Sequence, residues 1–156
     1  MSKTQRKKAV HALQALGEEL VMLGEEQLAR IELPERLRDA VTEARRISGF
    51  EARRRQLQYI GKLMRGVEAE PIRAAVDAAQ ARSRGEAAAH QRAEAWREQL
   101  LSDPAAVNEL LAEYPEADGR QLRALARAAL RERAENRPPR AFRELYQALH
   151  ALIAKR

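Results

Sequence analysis

The sequence contains no cysteine. Disulfides, thiolate metal ligands and cysteine nucleophiles are therefore excluded, and the composition fits a reducing compartment. Aromatic residues make up only 4% of the chain, two Phe, three Tyr and one Trp, too few for a base-stacking platform of the RRM kind. No run approaches the roughly eighteen apolar residues that a membrane span needs. The opening MSKTQRKK has no apolar stretch behind it of the kind that marks a secretory signal. The seven glycines are scattered, so no Gly-rich loop cradles a phosphate. Four Ser and two Thr stand in no nucleophile-elbow context. The three histidines, His11, His90 and His150, lie far apart, and none has a second His one helical turn away. Neither a metal site nor a catalytic cluster follows from them. Glu94 and Glu98 beside Arg97 read as a solvated helix face rather than an acid/base pair. No cofactor and no small-molecule substrate are called for, and no residue points to an enzyme.

What is present is alanine and charge. Thirty-one of 156 residues are Ala, and 33% are Asp, Glu, Lys or Arg. Few Gly, Pro or β-branched residues accompany them, which favours helices and argues against a β-sandwich or barrel. The net charge of +6 is unevenly spread. Residues 1–44 carry net −1, 45–65 net +6, 66–119 net −6, 120–143 net +6 and 144–156 net +1. Two basic blocks thus flank an acidic segment, and Arg outnumbers Lys 24 to 5. Arg suits bidentate phosphate contacts better than Lys.

Apolar periodicity predicts helices throughout. A first covers 4–31, with Val10, Leu13, Gly17, Leu20, Gly24 and Ile31 on one stripe. Gly17 and Gly24 on that stripe predict close approach of another helix, since glycine otherwise costs a helix about 1 kcal/mol. Pro34 opens a second helix to Ile47, and Ser48-Gly49 breaks it. A third covers 50–66, with Phe50, Leu57, Ile60 and Met64 inward. A fourth, roughly 71–101, is apolar only at its ends, as a helix bridging two packed regions through solvent would be. Gly85 near its centre is the expected bend. Asp103-Pro104 opens a short helix to Glu113, and Asp118 with Gln121 starts another over 119–135. Pro138-Pro139 precede a last helix over 139–154. The expected fold is all-α: about seven helices in two small lobes, 1–84 and 85–156, joined dumbbell-fashion by the long central helix.

Both basic blocks form helical stripes. Arg120, Arg123, Arg127 and Arg131 share one face of their helix, opposite Leu122, Leu125, Ala126, Ala129 and Leu130. Like charges at this spacing repel by a few tenths of a kcal/mol per pair. Either the acidic segment 66–118 supplies carboxylates, or the face is simply solvated, or an external polyanion neutralises it. Arg137, Arg140 and Arg143 extend the basic surface. In the third helix Arg54, Arg55, Gln58, Lys62 and Arg65 spread over the half opposite Leu57, Ile60 and Met64. Tyr59 borders that half, where it either stacks on a base or covers the core edge. Arg53 falls inward and is expected to snorkel or to pair with an acid from the first two helices. Two such faces suit a long polyanion, with RNA the natural candidate. An alternative is a helical protein–protein adaptor whose Arg stripes meet acidic partners.

The run RRRQLQYIGKLMR at 53–65 resembles the signature of the bacterial YjgA/DarP family. So do EPIR at 70–73, YPEAD at 114–118, RQLR at 120–123, RPPR at 137–140, SKTQRK at 2–7 and ALQALGEEL at 12–20. The resemblance implies an all-helical cytoplasmic protein that associates with the large (50S) ribosomal subunit, its precursors and its 23S rRNA. It further implies a late, non-enzymatic assembly factor promoting folding of the peptidyl-transferase region, with ribosomal proteins as further partners. Family members carry an acidic extension ahead of the segment that opens here at Met1-Ser2, and contacts of such an extension are not carried over to this chain. The resemblance assigns no rRNA-contacting residues, so Arg54, Arg55, Gln58, Lys62, Arg65, Arg120, Arg123, Arg127, Arg131, Arg137 and Arg140 are candidates from the stripes alone.

Overall fold

The structure, a computed structural model, describes residues 1–155. These form eight α-helices and one 3-10 turn, with no strand among the described residues. The helices are α1 (Lys3–Met22), α2 (Glu25–Ala29), α3 (Glu35–Arg46), α4 (Phe50–Met64), α5 (Ala69–Ser102), α6 (Val107–Glu113), α7 (Gly119–Ala134) and α8 (Arg140–Ala154). They fall into two compact units, Met1–Ala81 and the chain from Arg82 onward, each around its own core. Helix α5 runs through Gly85 without a break, and Gly85 is no interruption of it. Residues 81–87 of α5 are all exposed.

In the first unit α1 starts from a capping box. The Ser2 hydroxyl accepts from the Gln5 amide at 3.1 Å, and Gln5 Oε1 accepts from the Ser2 amide at 2.9 Å. The expected helix over 4–31 is in fact two helices. Leu23 and Gly24 are extended, and Gly24 is the N-cap of α2 rather than a point of close approach. The break turns Leu23, Leu28, Ile31 and Leu33 together into the core. Carbonyls freed at such a break and at the end of α2 need donors, and α3 supplies them. Arg38 donates to the Leu28 and Ile31 carbonyls, and Arg45 donates to the Leu23 carbonyl. These two guanidiniums are thereby committed to the fold.

Helices α1 and α4 cross closely. A Cβ on Gly17 would stand 2.8 Å from Ile60 Cγ2, and one on Gly61 would stand 1.8 Å from Gln14 Oε1. Gln14 Nε2 donates to the Leu57 carbonyl at 2.9 Å, and Gln56 Nε2 to the Ala40 carbonyl of α3 at 2.9 Å. Leu20, Leu37, Val41, Ile60, Met64 and Val76 are fully buried around this crossing, each contributing about 1.5–3 kcal/mol on folding. Burying that side of α4 turns its basic half outward. Phe50, expected inward, is instead 80% exposed. It stands in the first turn of α4, ahead of the stretch from Leu57 to Met64 that α1 covers. Val10, on the apolar stripe of α1, is 38% exposed for the same reason, because the packed part of α1 begins at Leu13.

In the second unit several helix ends are chemically marked. The Asp103 carboxylate accepts from the Ala105 amide at 3.0 Å, with Pro104 at the first helical position, and that of Asp118 accepts from the Gln121 amide at 3.1 Å. Helix α7 ends in a Schellman turn. Asn136 takes the left-handed φ of 54°, and the Arg137 amide reaches back to the Glu132 carbonyl at 2.9 Å. Glu132 then caps α8, its two carboxylate oxygens accepting from the Ala141 amide at 2.8 and 3.0 Å. Leu100, Val107, Leu110, Leu145, Leu149 and Ile153 form the fully buried centre. With Leu122, Ala126 and Ala129 turned inward, the opposite side of α7 is presented to solvent.

Candidate nucleic-acid interface

The α4 face contains Arg54, Arg55, Gln58, Lys62 and Arg65, all exposed. Arg54 stands 3.6 Å from Glu51, with side chains 59% and 66% exposed, a pair worth little in water. Arg55, Gln58, Lys62 and Arg65 have no side-chain hydrogen bond or ion pair among the described residues. Arg53 is half-buried and has no carboxylate partner among them, so of its two expected roles it snorkels. Tyr59 is 41% exposed.

The α7 face contains Arg120, Arg127 and Arg131, exposed, and Arg123, half-buried. Arg123 Nη2 donates to Asn108 Oδ1 of α6 at 3.2 Å, which fixes its direction without neutralising it. No carboxylate lies within ion-pair distance of any of the four among the described residues. Two acids fall within the basic block 120–143, and both are committed elsewhere. Glu132 caps α8, and Glu135 pairs with Arg137 at 2.8 Å. Arg140 lies 3.5 Å from Glu144. The structure thus separates the candidates. Arg120, Arg123, Arg127 and Arg131 form an uncompensated stripe, whereas Arg137 and Arg140 are partly neutralised. An open groove of about 730 Å³ lies between α7 and α8, lined by Gln121, Leu125, Arg140, Arg143, Glu144 and Gln147. It adds two guanidiniums but no converging set of buried polar groups.

Three arrangements escaped sequence reasoning. In the first unit Arg73 clamps Glu19 bidentately at 2.7 Å for both bonds, and also meets Asp77 at 3.0 Å. Gln80 adds a bond to Glu19 at 3.1 Å. The hydrogen bond from Arg73 holds the Glu19 carboxyl below the usual carboxylate range, and Glu19 in turn raises Arg73. The EPIR motif thus places a helix-opening Pro71, a core Ile72 and this clamp in succession. In the second unit His90 binds the Tyr146 hydroxyl through Nδ1 and Glu94 through Nε2, the latter at 2.6 Å. His150 stacks on Tyr146 at 5.7 Å. There too Arg97 lies 3.8 Å over the Phe142 ring. The i, i+4, i+8 spacing of Phe142, Tyr146 and His150 was the available signal. Among the described residues no group of three or more His, Cys, Asp or Glu could hold a metal ion, and no helix is long and apolar enough to cross a membrane.

Residues 1–150 match the family described as DarP, dual-action ribosomal maturation protein. A dual-action ribosomal maturation protein DarP of Aromatoleum aromaticum is 50% identical over 151 residues, covering 97% of this chain and 80% of the relative. The protein of that name in Thiobacillus denitrificans is 50% identical over 148 residues, 95% of this chain and 84% of the relative. That of Nitrosomonas eutropha is 47% identical over 152 residues, 97% and 86%. An all-helical chain with two outward basic helix faces, matched along nearly its whole length, therefore belongs to the DarP family.

Proposed function

We propose that this chain acts in ribosome maturation by gripping rRNA of the large (50S) subunit precursor with its two basic faces. The relatives' name, dual-action ribosomal maturation protein, supports the maturation role, and the uncompensated stripe on α7 carries the assignment to RNA. Four cations at i, i+3, i+7 and i+11 repel one another, and no carboxylate of the described chain relieves them. A polyanion does, with release of its condensed counterions. In this reading Arg120, Arg123, Arg127 and Arg131 contact one stretch of 23S rRNA, with Arg137 and Arg140 at the margin. Arg54, Arg55, Gln58, Lys62 and Arg65 contact another. The protein works by differential affinity, favouring the mature arrangement of the peptidyl-transferase region without making or breaking bonds. It acts in the cytoplasm, where the subunit is built.

The test is sedimentation of tagged protein from lysate at low and high salt, for the wild type and for Arg127→Glu/Arg131→Glu. The wild type is expected with large-subunit precursors at low salt and at the top of the gradient at high salt. The charge-reversed variant is expected at the top in both. Unchanged migration of the variant overturns the stripe assignment, and association that survives ribonuclease identifies a protein adaptor instead.

A further inference from the structure

Two exposed aromatic rings border the basic face of α4, Phe50 on the side that α1 covers further along the helix and Tyr59 on the opposite side. Phe50 is 80% and Tyr59 41% exposed, and neither has a ring or cation–π partner among the described residues. Phe50 stands one turn before Arg54. Tyr59 stands one turn after Arg55 and just before Lys62. Arg55 and Lys62 have no carboxylate partner, and Arg54 has only the solvent-exposed Glu51. Each ring thus has a cation beside it, the pairing that takes the base and the phosphate of one nucleotide together. Nine residues separate the rings, about 13 Å along the axis. Charged and polar side chains fill the interval, so the rings form no continuous apolar patch of the sort a protein partner covers. Paired bases in an A-form duplex are stacked on their neighbours and offer side chains no free face.

We infer that the α4 face is a single-strand site, in which Phe50 and Tyr59 stack on unpaired rRNA bases while Arg54, Arg55 and Lys62 hold the adjoining phosphates. This rests on the RNA-binding reading above and narrows it to unpaired nucleotides for this face.

The test is fluorescence anisotropy of the full chain with a labelled oligoribonucleotide, single-stranded or annealed into a blunt duplex of the same length. The proteins compared are wild type, Phe50→Ala, Tyr59→Ala and the double variant. Both rings are solvent-exposed, so their removal leaves the fold intact. Each substitution is expected to weaken single-strand binding by about 5- to 100-fold, with duplex binding within twofold of wild type and an unchanged salt slope. Full single-strand affinity in the double variant overturns the inference alone, as does equal loss on both RNAs. Intact RNA binding with loss of ribonuclease-resistant association to particles makes this a protein-docking face and also overturns it. A wild type that binds neither RNA refutes the RNA reading itself.

Discussion

Gly17 and Gly85 undergo the same chemical change on substitution by alanine, in two opposite surroundings. Both are helical, so Ala contributes about 1 kcal/mol of helix propensity at either position. At Gly85 the new methyl meets nothing within 4 Å, and Gly85→Ala is expected to stabilise by about that amount. At Gly17 the methyl lands 2.8 Å from Ile60 Cγ2 and 3.5 Å from Met64 Cγ. Both neighbours are fully buried, and Ile60 is β-branched with little rotameric freedom. Overpacking of this kind costs about 1–3 kcal/mol. Because the propensity gain cancels between the two variants, Gly17→Ala should lie below Gly85→Ala by about that same 1–3 kcal/mol. The assay is urea unfolding followed by circular dichroism, with amide exchange in α1 and α4 to locate the loss. Ile60→Ala opens the space the methyl needs, so Gly17→Ala in that background should cost about 1 kcal/mol less than in the wild type. A Gly17→Ala variant as stable as Gly85→Ala, within about 0.5 kcal/mol, refutes the close crossing of α1 and α4 on which the outward direction of the basic face depends.

Gly61→Ala meets only the movable end of Gln14, and losing the Gln14 bond to Leu57 offsets the helix gain. Its stability should stay within about 1 kcal/mol of wild type by the same unfolding assay. Glu132→Ala removes the cap of α8 and should cost about 1 kcal/mol, read as a lower urea midpoint. The lowered Glu19 carboxyl contributes stability above the ordinary glutamate value of about 4.3. That contribution is lost as pH falls through its depressed folded value. Glu19→Gln should therefore be less stable than wild type at pH 7, with the difference vanishing in acid; an undiminished difference at pH 2 would contradict the clamp with Arg73.

The helices were legible because alanine-rich, amphipathic segments with Pro and Asp at their starts leave few alternatives. Asp103-Pro104 and Asp118 mark real caps. The break at Leu23-Gly24 was not legible, because the donor to the Leu23 carbonyl is Arg45 of α3, 22 positions away. The periodicity on its own continues unbroken to Ile31. Phe50 fits the inward side of a helical wheel, and it is exposed because the apolar packing of α4 begins only at Leu57. The outward direction of both basic stripes could be read from the apolar residues opposite them. Their freedom from carboxylates could not. Glu132 and Glu135 are near enough in sequence to neutralise Arg131, and the Schellman turn and the α8 cap draw them away.

Phosphate contacts by the α7 stripe are the centre of the proposed mechanism, and the salt dependence of rRNA binding reads them out. Affinity for a 23S rRNA fragment would be measured by titration at a series of salt concentrations, for wild type and for Arg127→Ala/Arg131→Ala. Each lost phosphate contact should reduce the slope of log K against log salt by about 0.7. The double variant is expected to show a slope shallower by about 1.4 units, with weaker binding at low salt. An identical slope and affinity in the two proteins would contradict that mechanism.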